Sequence, residues 1–325
     1  MWRKFVGYKY RNFIKPLVAR HTPPELLPKE EAFFWMESRD LEGYPGHFYL
    51  GYIKAPRVLH PTIENMMVTH PYDELLIFAG TNPKDILYLG AEASIVLGEE
   101  REEYFFNEPS VAIIPKGLPH GPAKIKRLDS PIIQIALADG PEYRASFKES
   151  KKETCHGEKY KRFVKRLTTS KSALEVYRSQ GPIKVDERGV MDLRAIGPGE
   201  AYQIVQMHPE DLEGVNISFS WEFCGTPGYW MSPRYGHVHS EPELLIALGL
   251  DPNNPQDLGA SLEFWFGTER EVYVIDRSTA ITIPRPWIAH TPLITQYSKR
   301  PFAFMLIFPG SYMHAGKVET GFDVY

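Results

Sequence analysis

Glu74-Leu75-Leu76-Ile77 and Glu243-Leu244-Leu245-Ile246 are the same four residues, 169 positions apart. At that offset Gly80 falls on Gly249, Gly90-Ala91 on Gly259-Ala260, and Gly98 on Gly267. Glu100-Arg101-Glu102 with Tyr104 falls on Glu269-Arg270-Glu271 with Tyr273, and Ile114-Pro115 on Ile283-Pro284. One added residue then brings His120, Pro122, Pro131 and Gly140 onto His290, Pro292, Pro301 and Gly310. The period far exceeds the roughly 20–50 residues of solenoid units. It is the length of a domain, so the chain reads as a duplication, with copies at 46–142 and 190–325.

Working outward, each copy is a series of short strands. Along Ser261–Phe266, Leu262, Phe264 and Phe266 share one face; Ser261, Glu263 and Trp265 share the other. Phe302–Phe308 is apolar on both faces, as in a strand buried between two layers. The Glu-Arg-Glu segments read as hairpin connections. A 43% hydrophobic content, 18 Phe, 18 Tyr, 28 Pro and 25 Gly point the same way, toward an all-β chain of many turns. Residues 1–45 read as an N-terminal arm, basic and aromatic at its start (Trp2, Arg3, Lys4, Phe5, Tyr8, Lys9, Tyr10), that packs on a barrel or at a dimer interface. Residues 143–189 read as a basic linker: Arg144–Arg178 carries eleven Lys or Arg against four Glu, and Ser172–Arg178 has helical spacing.

A net charge of −4 gives no steering toward nucleic acid or membrane. Cys155 and Cys224 make neither a disulfide framework nor a cysteine-based zinc cluster. With no secretory pattern at the start and no long apolar run, the reading is a cytoplasmic protein.

The chemistry concentrates in Tyr235-Gly236-His237-Val238-His239-Ser240-Glu241-Pro242-Glu243. Residues two apart on a strand share a face, so His237 and His239 reach one interior point. Glu241-Pro242 suits a turn, and Glu243 at the head of the next strand can rejoin that point. Two imidazoles and a carboxylate suit a borderline divalent metal, and His290 is the natural fourth ligand. Tyr235 shares the parity of the histidines and is a candidate catalytic residue beside Glu243. Arg234, Arg285 and Trp287 lie near enough in sequence to be candidate substrate contacts.

His237-x-His239-x-x-x-Glu243, followed by Gly249, resembles the first sequence motif of the cupins, and Pro284–His290 resembles the second. The resemblance covers both copies. It implies two double-stranded β-helix (cupin jelly-roll) barrels with a short helical linker, and one metal per chain in the C-terminal barrel, held by His237, His239, Glu243 and His290. Copy two departs from the usual second motif: Pro284-Arg285-Pro286-Trp287-Ile288-Ala289-His290 is one residue longer and lacks the glycine that Pro115-Lys116-Gly117-Leu118-Pro119-His120 keeps. Copy one keeps His70, Glu74 and His120 but has Val68 in place of the first histidine. It is either a three-ligand second site or a decayed one.

The expectation is a metal-dependent (Fe, Mn, Zn or Ni) enzyme acting on a small oxygenated substrate: a β-dicarbonyl, phenol-derived compound or hydroxy acid. Cleavage of a C–C bond proceeds with Fe(II) and dioxygen or by a non-redox hydrolase, lyase or isomerase route. A non-catalytic sugar- or small-molecule-binding protein is the alternative. Partners are a small molecule and a second copy of the chain, with no nucleic acid and no membrane.

Overall fold

The computed structural model describes residues 8–19, 33–61, 65–171, 173–174, 183–230, 235–284, 286, 288–310 and 316–319. Among these the chain is all-β, with two antiparallel sheets in each of two domains. In the first domain, Phe33–Met36, His47–Ile53, Ile132–Ala138, Glu74–Gly80 and Ser110–Ile114 lie side by side in that order. The second sheet of that domain runs Ser146–Glu149, Met66–Thr69, His120–Leu128, Ala91–Leu97, Glu102–Phe106. The second domain repeats the plan, with Ser218–Cys224, Phe302–Phe308, Glu243–Gly249 and Thr279–Ile283 central in one sheet. Tyr235–Val238, His290–Ser298, Asp257–Phe266 and Glu271–Arg277 belong to the other.

The residues that announced the duplication explain how the domains join. Glu243–Gly249 is buried along its whole length. Leu245 and Ala247 face their own domain's interior, with Ile281, Phe302 and Phe304. Leu244, Ile246 and Leu248 instead share a core with Leu75, Ile77, Leu137, Phe48 and Leu50 of the first domain. The sheets that carry Glu74–Gly80 and Glu243–Gly249 therefore pack back to back, which is why these strands are apolar on both faces. The Glu-Arg-Glu hairpins form as read: Ala91–Leu97 pairs with Glu102–Phe106, and Asp257–Phe266 with Glu271–Arg277. At their tips Arg101 and Arg270 take φ of 60° and 57°.

Two expectations change. Among the described residues the domains are sandwiches of two separately hydrogen-bonded sheets, and no closed barrel is seen. Closure comes from apolar packing between the layers. Most of the described linker is extended and not helical: Ser146–Glu149 and Val164–Arg166 are strands, with a 3-10 turn at Lys161–Phe163 leading into the second. A sheet edge with free N–H and C=O groups is a stronger partner for a basic segment than its own helix. Leu174 N–H donates to the Ser170 carbonyl at 3.2 Å, opening a helical turn, while residues 172 and 175–182 lie outside the described residues. Trp265 is buried, and Gly236 leaves room against its ring.

The segments ahead of the two domains are exchanged. Ile14–Pro16, from the arm, pairs with Thr279–Ile283 of the second domain. Val164–Arg166, from the linker, pairs with Ser110–Ile114 of the first. Tyr10 donates its amide N–H to Tyr273 Oη at 3.1 Å and its hydroxyl to Glu269 at 3.2 Å. Tyr160 does the same with Tyr104 at 2.9 Å and Glu100 at 2.7 Å. Gly98 and Gly267, both at positive φ, admit these rings: a Cβ there would lie 2.1 Å from Tyr160 and 2.5 Å from Tyr10.

Candidate metal centres

The structure brings together the four C-terminal ligand candidates. His237 and His239 stand two apart at the end of Tyr235–Val238, Glu243 opens the next strand, and His290 opens His290–Ser298 directly across from His237. Their ligand atoms lie within 4.8 Å of one another. Glu243 Oε2 is 2.9 Å from His290 Nε2 and 3.3 Å from His239 Nε2, and the two imidazole nitrogens are 3.2 Å apart. His239, Glu243 and His290 are buried; His237 is half-buried as a residue, with its ring Nδ1 buried.

Hydrogen bonding fixes what these atoms are. His239 Nδ1 lies 2.6 Å from the Glu241 carbonyl, and His290 Nδ1 lies 2.7 Å from the Ile288 carbonyl. A carbonyl only accepts, so each Nδ1 carries the proton and each Nε2 presents a lone pair. Burial pushes the Glu243 carboxyl up, but its bonds to His239 and His290 outweigh this and hold it well below the usual range. Burial likewise pushes His237 down to about 3, so its ring is neutral. For His239 the burial penalty is outweighed by Glu243, and its value is raised. With each Nδ1–H held by a carbonyl, Nε2 can donate to Glu243 only when a ring carries a second proton; otherwise three acceptors converge on one point. Such an arrangement is unfavourable in a dry interior unless a cation fills it. Bonds of about 2.1 Å set neighbouring ligand atoms about 3.0 Å apart in an octahedral array, close to the separations seen. The residues therefore fit a divalent metal.

Phe264 stacks on His290 at 6.2 Å with an interplanar angle of 10°, and Phe266 lies 6.3 Å away. They give the cluster an apolar wall. Glu222, also inside this domain, has its carboxyl pushed up to about 7 by burial, against the bond donated by Ser220. It stands level with Phe304 and Ala247, four residues along the strand from Glu243. At about 3.3 Å per residue that is about 13 Å from the ligand carboxylate, too far to touch a metal-bound group. Arg234, Arg285 and Trp287 lie outside the described residues, as does the side chain of Tyr235.

The first domain holds a second cluster, so candidate metal sites are not confined to the C-terminal domain. His70, Glu74 and His120 converge as their repeat partners do, with Glu74 Oε2 3.6 Å from His70 Nε2 and 3.5 Å from His120 Nε2. Sequence reading missed His60, whose ring stands 5.8 Å from those of both His70 and His120. It lies outside both motif-like stretches. Upstream the offset grows to 171, which puts Met231 at the corresponding position in copy two, so the repeat alone does not mark it. His208, in contrast, lies 2.8 Å from Ser218 Oγ and joins neither cluster.

No protein-family model and no curated protein matches the sequence. Solved structures do. A serine-to-alanine variant of Bacillus subtilis oxalate decarboxylase aligns over 93% of this chain and 77% of its own, at TM-score 0.53 and 10% identity. A two-residue deletion variant of the same protein gives the same coverage and score at 12% identity. Its structure at pH 4.6 gives 0.50 and 13%, over 90% of this chain and 75% of that one. The chain thus has an all-β, two-domain fold similar to that of oxalate decarboxylase, with one candidate metal-binding cluster in each domain.

Proposed function

We propose that the second-domain cluster holds a catalytic divalent metal and that the chain is an enzyme cleaving a C–C bond in a small oxygenated substrate. The observation that carries this is the convergence of four ligand side chains, three of them buried, with His239 and His290 held by carbonyls at Nδ1 so that Nε2 faces the common point. Bound there, iron, manganese, zinc or nickel supplies Lewis acidity to a chelated carboxylate, carbonyl or enol. Glu243 stays ionised and contributes the negative charge of the ligand set. The backbone carbonyls of Glu241 and Ile288 hold His239 and His290 in the tautomer that offers Nε2. Phe264 and Phe266 exclude water from one side of His290, which strengthens every charge interaction at the site.

Similarity of fold to oxalate decarboxylase favours non-redox cleavage of a carboxylic acid over the dioxygenase route. Tyr235, sharing strand parity with His237, is proposed to face the substrate, and Arg234, Arg285 and Trp287 to line its entry. A cytoplasmic homodimer is the accompanying proposal. The test is carbon dioxide release from oxalate, β-keto and hydroxy acids by manganese-, iron-, zinc- and nickel-loaded protein, with oxygen uptake followed in parallel. Metal-dependent carbon dioxide release without oxygen uptake supports this reading, and stoichiometric uptake transfers it to the oxidative route. Neither activity from fully loaded protein, across all three acid classes, contradicts it.

A further inference from the structure

We propose that the first domain binds a second divalent metal, in a closed site of His60, His70, Glu74 and His120, with His60 replacing the ligand lost at Val68. Val68 stands directly across from His120, the register that His237 holds with His290. A single-domain reading would stop there and call the site decayed. The chain instead delivers an imidazole from the neighbouring segment. His60 is fully buried and neither ring nitrogen has a hydrogen-bond partner. Its backbone is clamped to the strand that carries His120: Leu59 N–H donates to the Ala123 carbonyl at 2.7 Å, and Ala123 N–H donates to the His60 carbonyl at 3.0 Å. Gly121, at φ +84°, makes this approach fit, since a Cβ there would sit 2.3 Å from Pro61 and 2.9 Å from the His60 carbonyl. Two features special to copy one, His60 and Gly121, thus serve the same contact; the repeat partner of Gly121 is Thr291.

The other three groups are arranged to receive a cation. His70 Nδ1 lies 2.8 Å from the Arg144 carbonyl and His120 Nδ1 lies 3.1 Å from that of Leu118, so both rings present Nε2 lone pairs inward. Those nitrogens and both Glu74 oxygens have no hydrogen-bond partner. A fully buried carboxylate ringed by three imidazoles, none within hydrogen-bond reach of it, is an arrangement that native interiors avoid unless something sits between. The Nε2–Oε2 separations of 3.5 and 3.6 Å exceed a hydrogen bond and approach the edge of a tetrahedron, about 3.4 Å for bonds of about 2.1 Å, and one ring nitrogen from each of His60, His70 and His120 lies within 4.8 Å of the others. All four side chains are buried, the mark of a structural site, whereas the second domain's cluster has a half-buried member. The ion expected is one that accepts tetrahedral nitrogen and oxygen ligands, such as zinc, with cobalt(II) as its spectroscopic stand-in.

The experiment uses the full chain carrying His239→Ala, so that only the first domain can hold tight metal. Equilibrated with cobalt(II) and desalted, this parent is expected to retain one ion per chain and to show tetrahedral d–d absorption near the red end of the visible. Adding His60→Ala is expected to lower retained cobalt at least tenfold and abolish the band, with melting in chelator unchanged from the parent. If His60→Ala melts lower in chelator, His60→Asn, closer in volume, carries the test. An empty parent overturns the proposal. So does a folded His60 variant that keeps its cobalt and its band.

Discussion

Replacing Glu243 by Gln should make the metal-free protein more stable and the metal-loaded protein less so. The carboxylate is almost isosteric with the amide, so packing beside Phe264 and Phe266 is conserved. In chelator the wild-type cluster confronts Glu243 Oε2 with lone pairs on His239 Nε2 and His290 Nε2, at 3.3 and 2.9 Å. A Gln amide can donate to both. Two new hydrogen bonds at about 1 kcal/mol each, plus relief of a buried anion, give a gain of about 2–3 kcal/mol. The measurement is the urea midpoint of the second domain's transition at pH 8.5, in chelator. With metal present the order reverses, because wild type gains RT ln(1 + [M]/Kd), about 4 kcal/mol at a thousandfold excess over Kd, and the variant does not. A variant less stable than wild type in chelator would show that Glu243 already accepts from donors there. The convergence of bare acceptors would then be an incorrect description of the cluster.

Glu222 should govern a separate pH effect. Burial raises its carboxyl from 4.5 to about 7, so its neutral form favours folding. That contribution is complete below about pH 4.5 and is lost as pH rises through about 7, a loss of about 2–3 kcal/mol by pH 8.5. Glu222→Gln should flatten the fall in urea midpoint between pH 5.5 and 8.5; an unchanged slope would place the carboxylate in a solvated setting. Gly98→Ala should destabilise the first domain and Gly267→Ala the second, each by about 1–3 kcal/mol, through the exchanged tyrosines. Separate shifts of two calorimetric transitions would show this, and neutrality of both would remove the tyrosine clasp from the account. Phe264→Ala should cost about 3–5 kcal/mol by melting and weaken metal retention with it, since the ring fixes His290.

What could be read from the sequence follows the length scale of the interactions. Glu74–Gly80 and Glu243–Gly249 have the same burial because one face meets its own domain and the other meets the second copy. A repeated apolar strand shows this in one dimension. The C-terminal ligands were legible because strand parity and one turn bring His237, His239 and Glu243 together. The exchanged arms were not, although Lys9-Tyr10-x-x-Phe13-x-Lys15-x-Leu17 recurs as Lys159-Tyr160-x-x-Phe163-x-Lys165-x-Leu167. Their offset is 150, not 169, so an alignment locked to the body of the repeat passes over them. Asp40-Leu41-Glu42-Gly43 and Asp211-Leu212-Glu213-Gly214, at offset 171, escaped in the same way. The linker looked helical because Leu174 and Tyr177 stand three apart, but that spacing covers only its end, and the open edge at Ser110–Ile114 holds Val164–Arg166 as a strand. His60 was hidden because its ligand role depends on two clamping bonds to Ala123, some sixty residues away, which no local pattern encodes.

The central claim is that three imidazoles and one carboxylate of the second domain enclose a cation. Anomalous X-ray scattering from crystals of the full chain, loaded with manganese or zinc and collected on both sides of the absorption edge, measures this directly. The account predicts an edge-dependent peak bonded at about 2.1 Å to His237, His239, Glu243 and His290. Saturated crystals with no such peak among those four side chains would contradict it.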